Sequence, residues 1–448
     1  MGVRRRVLAL VAGVAVTAGA VAVAIAGEGT SFAAVTCSGT VWAEGVTYTA
    51  GQQVTYNGHL YQALVTHTAY VGAGWNPAAT PSLWKDLGAC TGGTTTTPTT
   101  APTTTTPTTS PTTTPPTTPP TTQPTTTPPT GSTCAVKSRP AGKVLQGYWE
   151  NWDGAANGVH PGLGWIPIND SRILQHGYNV IAAAFPVIRS DGTVLWENGM
   201  DAGVKVSTPA EMCAAKASGA TILMSIGGAA AGIDLSSSTV ADKFVATVVP
   251  ILKAYNFDGI DIDIETGLTG SGSISTLSTS QANLVRIIDG VLAQMPSNFG
   301  LTMAPETAYV TGGSVTYGSI WGSYLPIIKK YVDNGRLWWL NMQYYNGSMY
   351  GCSGDSYSAG TVQGFTVQTQ CLNNGLTIQG TTIKVPYDKQ VPGLPAQSGA
   401  GGGYMAPSLV SQAYNSVSSI KGLMTWSINW DGSKSWTFGD NVKRLEGR

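Results

Sequence analysis

The stretch Asp258-Gly259-Ile260-Asp261-Ile262-Asp263-Ile264-Glu265 alternates acidic and apolar residues with a period of two. This is the repeat of a β-strand, in which successive side chains point to opposite faces. On such a strand Asp261, Asp263 and Glu265 share one face, and three isoleucines share the other. A solvent-exposed edge strand could also carry three acids on its wet face, so the neighbouring sequence decides between the two interpretations.

Short apolar runs alternate with helix-period segments from about residue 139 to the end of the chain, which is typical of repeated β-α units around a parallel sheet. Eight runs predict strands: Val144–Trp149, Asn179–Phe185, Thr221–Ile226, Gly259–Glu265, Gly300–Pro305, Trp338–Tyr345, Ile383–Tyr387 and Leu423–Ile428. Amphipathic stretches between them predict helices, among them Val240–Tyr255, Ala282–Met295, Ile320–Val332 and Ser408–Ile420. The α/β fold class follows, and eight units favour a (β/α)8 TIM barrel over an open, doubly wound sheet.

The alternation with helices also decides how the acidic strand is interpreted. A strand that alternates with helices is buried on both faces, so an exposed edge is a poor account of it. In a barrel the isoleucines pack beneath the helices, and the three carboxylates line the interior up to the C-terminal mouth. Like charges crowded in a low dielectric raise some of their pKa values and make them share protons. Structure alone gains nothing from this arrangement, whereas a glycosidase uses it.

Composition excludes several classes of function. The chain has 448 residues, 42% hydrophobic and 11% charged, and its formal net charge is zero. Without residues 1–34 the balance is slightly acidic, which gives no electrostatic footprint for a nucleic-acid partner. The sequence has four histidines and no Cys-x-x-Cys spacing, so we expect neither a metal nor a redox cofactor.

The N-terminus has the pattern of a signal peptide. Arg4–Arg6 form a basic region, Val7–Ala26 is apolar, and small residues precede Val35. A transmembrane anchor is the alternative, because about 20 apolar residues can span a bilayer. We predict a signal peptide over 1–34 and a secreted, extracellular protein that has no membrane contact after cleavage. The adjacent arginines leave the export route open.

Six cysteines in an exported chain predict disulfides. The first two bracket a compact segment, the last two flank one loop and the helix that follows, and the middle two pair by elimination. The expected bridges are Cys37–Cys90, Cys352–Cys371 and Cys134–Cys213.

Two smaller regions precede the predicted barrel at 134–448. Residues 91–133 are nearly all Thr and Pro, which predicts an extended, semi-rigid linker. Residues 35–90 predict short strands joined by turns such as Asn57-Gly58. This segment has more aromatic residues than so small a domain can bury, and an exposed aromatic ring can stack on a sugar: Trp42, Tyr48, Tyr56, Tyr61, Tyr70, Trp75 and Trp84.

The aromatic pattern of the N-terminal segment, from Trp42 through Tyr48-x-x-Gly51 to Trp75-Asn76-Pro77 and Leu83-Trp84, resembles the chitin- and cellulose-binding modules of families 5 and 12. The resemblance implies that Trp75 grips crystalline chitin. It also implies that Tyr48, Tyr61 and Trp84 belong to the core, and it leaves Trp42 open between binding and core.

The Asp-x-x-Asp-x-Asp-x-Glu pattern of 258–265 resembles the signature of glycoside hydrolase family 18. Ser225-Ile226-Gly227-Gly228 on the preceding strand resembles the second signature of that family. The strings Gly147–Trp152 and Met303–Glu306 are similar to those of compact bacterial chitinases, and the resemblance covers essentially all of 140–448.

This resemblance implies a substrate-assisted mechanism, an exception to the scheme with two protein carboxylates. Glu265 would protonate the glycosidic oxygen and later activate water. The acetamido carbonyl of the substrate would attack the anomeric carbon, giving an oxazolinium ion. Asp263 would orient the acetamide, Asp261 would share a proton with Asp263, and Tyr345 would donate a hydrogen bond to the acetamido oxygen.

The resemblance also implies a set of substrate-binding residues. Trp426 would form the floor beneath the distorted sugar, and Gln343 and Asn346 would contact substrate. Tyr148 and Met303 join them from the two chitinase-like strings. Relatives often have Asp where Asn346 stands, so the tuning of the acid and the pH optimum remain open.

Four further residues are expected to be structural. Asp258 lies on the opposite parity to the other acids, which suits a structural hydrogen-bonding role at least as well as catalysis. Ser225 and Gly227-Gly228 suit tight packing beside the acidic strand better than contact with substrate.

The predicted function is an endo-acting, retaining chitinase that binds chitin and chito-oligosaccharides and acts as a monomer. An endo-β-N-acetylglucosaminidase acting on glycoprotein glycans, and a non-catalytic chitin-binding lectin, are the alternatives. The endo mode follows from a short connection: about 35 residues separate Tyr387 from Leu423, which leaves no room for the domain that walls the cleft of processive relatives.

Overall fold

The computed structural model describes residues 37, 39–43, 46–64, 67–69, 76–78, 80, 83–90, 131–152, 160, 163–229 and 232–448. The predicted signal peptide, Tyr70, Trp75 and most of the predicted linker lie outside the described residues. No helix in the described part of the chain is long and apolar enough to cross a bilayer.

The N-terminal segment folds into short strands, as predicted. They are β1 (Thr40–Val41), β2 (Thr47–Tyr48), β3 (Gln53–Tyr56), β4 (His59–Ala63), β5 (His67–Thr68) and β6 (Trp84–Ala89). Four of them form a sheet in the order β1-β3-β4-β6, and β2 pairs with β5. The turn between β3 and β4 is Asn57-Gly58, with φ of 47° and 77°, the left-handed conformation that a tight hairpin requires.

The core of this small domain contains the three aromatic residues predicted for it. Tyr48, Tyr61 and Trp84 are buried together with Val54 and Leu83. The ring of Trp42 packs edge-on against Tyr56 at 5.1 Å and is partly buried.

The described residues between 131 and 448 form an α/β domain, the predicted fold class. In chain order its strands are β7 (Val144–Glu150), β8 (Val180–Ala184), β9 (Val187–Ile188), β10 (Val194–Leu195), β11 (Thr221–Gly227), β12 (Gly259–Asp263), β13 (Gly300–Met303), β14 (Trp339–Leu340), β15 (Met349–Tyr350), β16 (Ser356–Tyr357), β17 (Leu376–Ile378), β18 (Thr381–Ile383), β19 (Gly393–Pro395) and β20 (Gly422–Trp426). Its helices are α1 (Ser171–Gln175), α2 (Pro209–Ala217), α3 (Ser238–Ala254), α4 (Thr279–Gln294), α5 (Leu325–Asp333), α6 (Val362–Asn374), α7 (Pro407–Ser416), α8 (Ile428–Ser433) and α9 (Thr437–Leu445).

Eight of these strands form one parallel sheet in the order β14-β13-β12-β11-β8-β7-β20-β19. Parallel bridges from Leu340 to Gln390 and from Gln343 to Gly393 join its two ends, so the sheet closes into a barrel. The (β/α)8 fold class is thereby confirmed.

The prediction of the seventh strand was wrong. Ile383 ends β18, which pairs antiparallel with β17 in a hairpin outside the barrel. The barrel strand is β19, whose sequence Gly-Leu-Pro resembles a turn more than a strand. The connection to the eighth strand therefore comprises only residues 396–421, shorter than predicted, and its main element is α7.

The alternation on β12 has the predicted consequence for packing. Ile260, Ile262 and Ile264 are fully buried in the large core between the barrel and its helices. A second, inner core fills the barrel below the mouth and includes Leu223 and Trp339. This filled interior gives the residues at the mouth a rigid base.

The three predicted disulfides are all present: Cys37–Cys90, Cys134–Cys213 and Cys352–Cys371. The second attaches the start of the domain to α2. The polar contacts of that start extend two residues before the predicted boundary, because Asn256 Nδ2 donates to the carbonyl oxygen of Ser132 at 2.9 Å.

Asp258 lies at the N-terminal end of β12, far from the mouth, and has the structural role that its parity predicted. Its carboxylate accepts from the backbone N–H groups of Lys137 at 2.7 Å and Ile222 at 2.9 Å. The ammonium of Lys216, 3% exposed, lies 2.7 Å from the same carboxylate. Asp258 thus joins the start of the domain, β11 and α2 at the bottom of the barrel.

Replacing Asp258→Ala should lower the free energy of unfolding by about 3–5 kcal/mol, because it leaves the Lys216 charge buried without its partner. Thermal unfolding measures the loss. Asp242→Ala is the matched control, since Asp242 pairs with Arg286 on the exposed surface and its removal should change little. Equal effects of the two substitutions would contradict the assignment.

Candidate active site

The three acids of the signature stretch rise through the barrel toward its C-terminal mouth. Asp261 and Asp263 lie within β12, and Glu265 lies just beyond the last residue of the strand. Asp261 is fully buried, Asp263 is 3% exposed, and Glu265 is partly exposed. Depth in the barrel therefore distinguishes three chemically similar groups, and only the third reaches the cleft.

Asp261 is surrounded by donors. Its Oδ2 accepts from the hydroxyls of Tyr148 and Ser225, both at 2.8 Å. Its Oδ1 accepts from Thr302 Oγ1 at 2.5 Å and from Asn341 Nδ2 at 3.0 Å. An ionised carboxylate can accept all four bonds, so this carboxylate is held rigidly.

Gln343 connects the two upper acids. Its side-chain Nε2 donates to Asp263 Oδ1 at 2.9 Å and to Glu265 Oε1 at 3.0 Å, and it lies 3.0 Å from the carbonyl oxygen of Ala304. Burial raises the pKa of Asp263 well above its ordinary value, and the charges of Glu265 and Asp261 raise it further. Burial likewise raises the pKa of Glu265, against the effect of the bond from Gln343. Both shifts favour the protonated form of these acids relative to a solvent-exposed carboxyl group.

A fourth acid, Glu306, belongs to the same cluster. Burial and the nearby charge of Glu265 raise its pKa from 4.5 to about 8. Sequence reasoning gave this residue no role, although its position carried a signal. Thr302, Ala304 and Glu306 alternate along the fifth barrel strand and its extension, and Thr302 already points to Asp261.

Tyr345 is 5% exposed and lies close enough to the acids for their charges to raise the pKa of its hydroxyl, after burial, which is the larger cause. A protonated hydroxyl is thereby favoured. The phenol can act as a hydrogen-bond donor next to Asp263 and Glu265.

Aromatic rings form the other side of the mouth. The ring of Trp426 lies nearly parallel to that of Phe185 at 6.0 Å, and Trp152 lies 6.1 Å from Trp426. Tyr148 is buried beneath them, 5.4 Å from Trp426. The hydroxyl of Tyr148 is engaged by Asp261 and the residue is 1% exposed, so its contact with substrate stays a prediction. Phe185 and Trp152 had no predicted role, although each ends a predicted strand or string.

A buried polar group supports Trp426 from behind. Glu150 accepts from the hydroxyl of Ser427 at 2.5 Å, and its other oxygen lies 2.6 Å from His160 Nε2. The same Ser427 hydroxyl caps α8 through Trp430 N at 3.1 Å. Ser427, the residue that follows Trp426, is thus held both to the first barrel strand and to the first turn of α8.

Asn346 is turned away from the acids. Its backbone has φ of 63°, its side-chain Oδ1 accepts from Gly402 N at 2.8 Å, and its own N–H donates to Gly402 O at 2.9 Å. It therefore attaches the glycine-rich loop between β19 and α7 to the mouth, beside the Tyr345 ring. Its contact with substrate stays a prediction.

Met303 does not belong to the site. Its side chain is fully buried. Because side chains alternate along the strand, Thr302 points into the barrel and Met303 points into the core beneath the helices. Gly227 and Gly228 act as the sequence suggested. A Cβ on Gly227 would lie 2.2 Å from Asp263 O, and one on Gly228 would lie 2.8 Å from the Phe185 ring.

Taken together, a partly exposed acid with a raised pKa, a buried acid beside it, a phenol donor and an aromatic floor form a site for cleaving a glycosidic bond. The fold and the site define a glycoside hydrolase on a (β/α)8 barrel.

Comparisons with known proteins agree. Residues 144–363 match "Glycosyl hydrolases family 18", and residues 41–85 match "Carbohydrate-binding module family 5/12". "Endochitinase 37" of Trichoderma harzianum is 84% identical over 311 residues, which are 69% of this chain and 92% of that protein. "Chitinase D" of Niallia circulans is 31% identical over 87% of this chain and 88% of that protein. The crystal structure of a family GH18 chitinase from Chromobacterium violaceum superimposes with a TM-score of 0.60 and 29% identity, over 91% of this chain and 99% of the other.

The chain belongs to glycoside hydrolase family 18, and it carries an N-terminal carbohydrate-binding module of family 5/12. The resemblance inferred from the sequence is confirmed.

The raised pKa of Glu306 predicts how stability depends on pH. Between about pH 4.5 and about pH 8 the folded state binds a proton that the unfolded state has released, so this group destabilises the folded protein as pH rises, by at most about 1.4 kcal/mol per pH unit. Glu306→Gln has no such proton. Its melting temperature relative to wild type should therefore increase steadily across this range, and a difference that is constant with pH would contradict the assignment.

Proposed function

We propose that this protein is a secreted, endo-acting chitinase that cleaves β-1,4-N-acetylglucosamine linkages with retention of configuration. The observation that carries the proposal is the column Asp261, Asp263 and Glu265 facing Tyr345 in a family 18 barrel. The names of the relatives support chitin as the substrate, since endochitinases and chitinases from several organisms match this chain.

In the proposed mechanism Glu265 donates its proton to the glycosidic oxygen. Its raised pKa keeps that proton available, and its position at the mouth brings it within reach of the substrate. The acetamido oxygen of the substrate attacks the anomeric carbon, and the leaving sugar departs with the proton. Water then opens the oxazolinium ion, with Glu265 now acting as base. Two inversions at one carbon give retention.

Asp263 and its neighbours assist the internal nucleophile. Asp263 turns toward the acetamide N–H and stabilises the positive charge that develops, while Asp261 beneath it shares the proton. Tyr345 donates to the acetamido oxygen, and Trp426 supports the distorted ring. Gln343 already bonds both upper acids, so we assign it to orienting them as well as to contact with substrate.

The remaining parts of the chain suit action on an insoluble polymer outside the cell. We propose that residues 1–34 are a signal peptide, that 35–90 bind chitin through Trp75, that 91–133 are a linker and that the protein acts as a monomer. Three disulfides suit an oxidising compartment. The module disfavours an endo-β-N-acetylglucosaminidase, and the presence of Glu265 disfavours a non-catalytic lectin.

Glu265→Gln should lower kcat on a soluble N-acetylglucosamine oligomer by a factor of about 10² to 10⁴, because only the transferable proton is removed. Binding of the oligomer, measured by titration calorimetry, should persist. Retention of more than a tenth of the activity would exclude Glu265 as the donor.

A fully deacetylated oligomer lacks the internal nucleophile, so its efficient cleavage by the wild type would indicate a protein nucleophile instead.

The mode of attack follows from the short connection 396–421, which holds the glycine-rich loop and α7 and has no inserted domain to wall the cleft. A groove open at both ends binds a polymer along its middle. The viscosity of a soluble chitin derivative should therefore fall before much reducing sugar accumulates. Slow loss of viscosity, with disaccharide as nearly the sole early product, would contradict the proposal.

A further inference from the structure

The acid Glu265 does not lie on a strand. The last hydrogen bonds that neighbouring strands make to β12 reach Ile262 O, from Ala304 N at 2.9 Å, and Asp263 O, from Gly228 N at 2.7 Å. A continued ladder would next join Ile264 N to Ala304 O. That carbonyl instead accepts from the side chain of Gln343. The ladder of hydrogen bonds between strands thus ends just before the proposed proton donor, Glu265.

The hydroxyl of Tyr324 replaces the hydrogen bonds that a continued strand would make to Ile264. It accepts from Ile264 N at 3.0 Å and donates to Ile264 O at 2.8 Å, so one side chain satisfies both backbone groups of the residue before Glu265. Tyr324 is fully buried at the start of α5. Without this hydroxyl, two buried backbone groups would lack partners, and the backbone would shift to find others.

Tyr309 holds the next carbonyl. Its hydroxyl donates to Glu265 O at 2.6 Å, and its side chain is 6% exposed. The rings of Tyr309 and Tyr324 pack edge to face at 6.0 Å, and Tyr324 N donates to Tyr309 O at 3.0 Å. The two tyrosines therefore act as one unit that grips consecutive backbone groups of Ile264 and Glu265.

We infer that Tyr324 and Tyr309 are positioning residues for the proton donor. Neither hydroxyl is directed at substrate, since both are engaged by the backbone. They act through Glu265 by fixing the point from which its side chain extends into the cleft. This inference rests on the proposed function, because it assigns the two tyrosines to the proton transfer of that mechanism.

Tyr324→Phe removes one oxygen and keeps the ring. On a soluble N-acetylglucosamine oligomer we expect kcat to fall about tenfold to a hundredfold, the cost of a misplaced catalytic group, while KM stays within about twofold. Tyr331→Phe is the matched control. Tyr331 is also fully buried on α5, but its hydroxyl donates to Asp289 at 2.8 Å, away from the site. The control should keep its kcat.

The leaving group supplies a readout that a general loss of structure would not move. An aryl chito-oligoside releases a phenolate that needs less help from an acid, so Tyr324→Phe should lose less activity on it than on the oligomer. Glu265→Gln should show the same asymmetry. Equal losses on the two substrates, or a kcat no lower than that of Tyr331→Phe, would overturn the inference.

Tyr309→Phe keeps the test open if Tyr324→Phe does not fold, because it removes only the bond to Glu265 O. It should show a smaller fall in kcat with the same asymmetry, and equal losses on both substrates would overturn the inference. A wild-type enzyme that cleaves neither substrate would refute the proposed function itself, whatever the tyrosine variants do.

Discussion

The burial of several carboxyl groups in one barrel interior is the constraint on which the rest of the site depends. At the bottom of the column four donors converge on the side chain of Asp261, three from the strands β7, β11 and β13 and one from the residue after β14. Burial raises the pKa values of the two acids above it, and the charges of Glu265 and Asp261 raise the pKa of Asp263 further. The hydrogen bonds from Gln343 to both acids act against these shifts. The raised pKa that favours a protonated Glu265 at the mouth is thus a product of its burial.

Period-two alternation let the sequence predict much of this arrangement. The isoleucines of β12 pack outward and its acids point inward, because a strand buried on both faces has no other way to place them. The same rule, applied to facing strands, would have found more of the site. Asn341, Gln343 and Tyr345 alternate along one strand extension, and each one meets or faces an acid of the column. Only Asn341 was overlooked there.

The errors have physical causes. Gly393–Pro395 is too short and too rich in turn residues to be recognised as a strand, while the apolar run near Ile383 served a hairpin outside the barrel equally well. Met303 was predicted as a site residue because residues 303–306 are similar to a chitinase string. The alternation of side chains that correctly placed the acids directs Met303 into the core. Nothing in the sequence indicated the role of Tyr324. Its hydroxyl bonds the backbone of Ile264 at the point where the strand ladder ends, and that point is known only from the structure.

Residues 132–137, at the start of the α/β domain, are attached at the bottom of the barrel. This attachment determines where a tensile load would enter the domain. Cys134 is cross-linked to α2, and Asn256 and Asp258 bind the adjoining backbone, all at the N-terminal ends of the strands. Seven residues of extended chain, roughly 20 Å, separate Asp258 from Glu265. If residues before this segment are anchored to a solid while the barrel works along it, the pull is borne by a covalent bridge and a buried ion pair. The mouth, and the geometry of the acids within it, stay outside the path of the force.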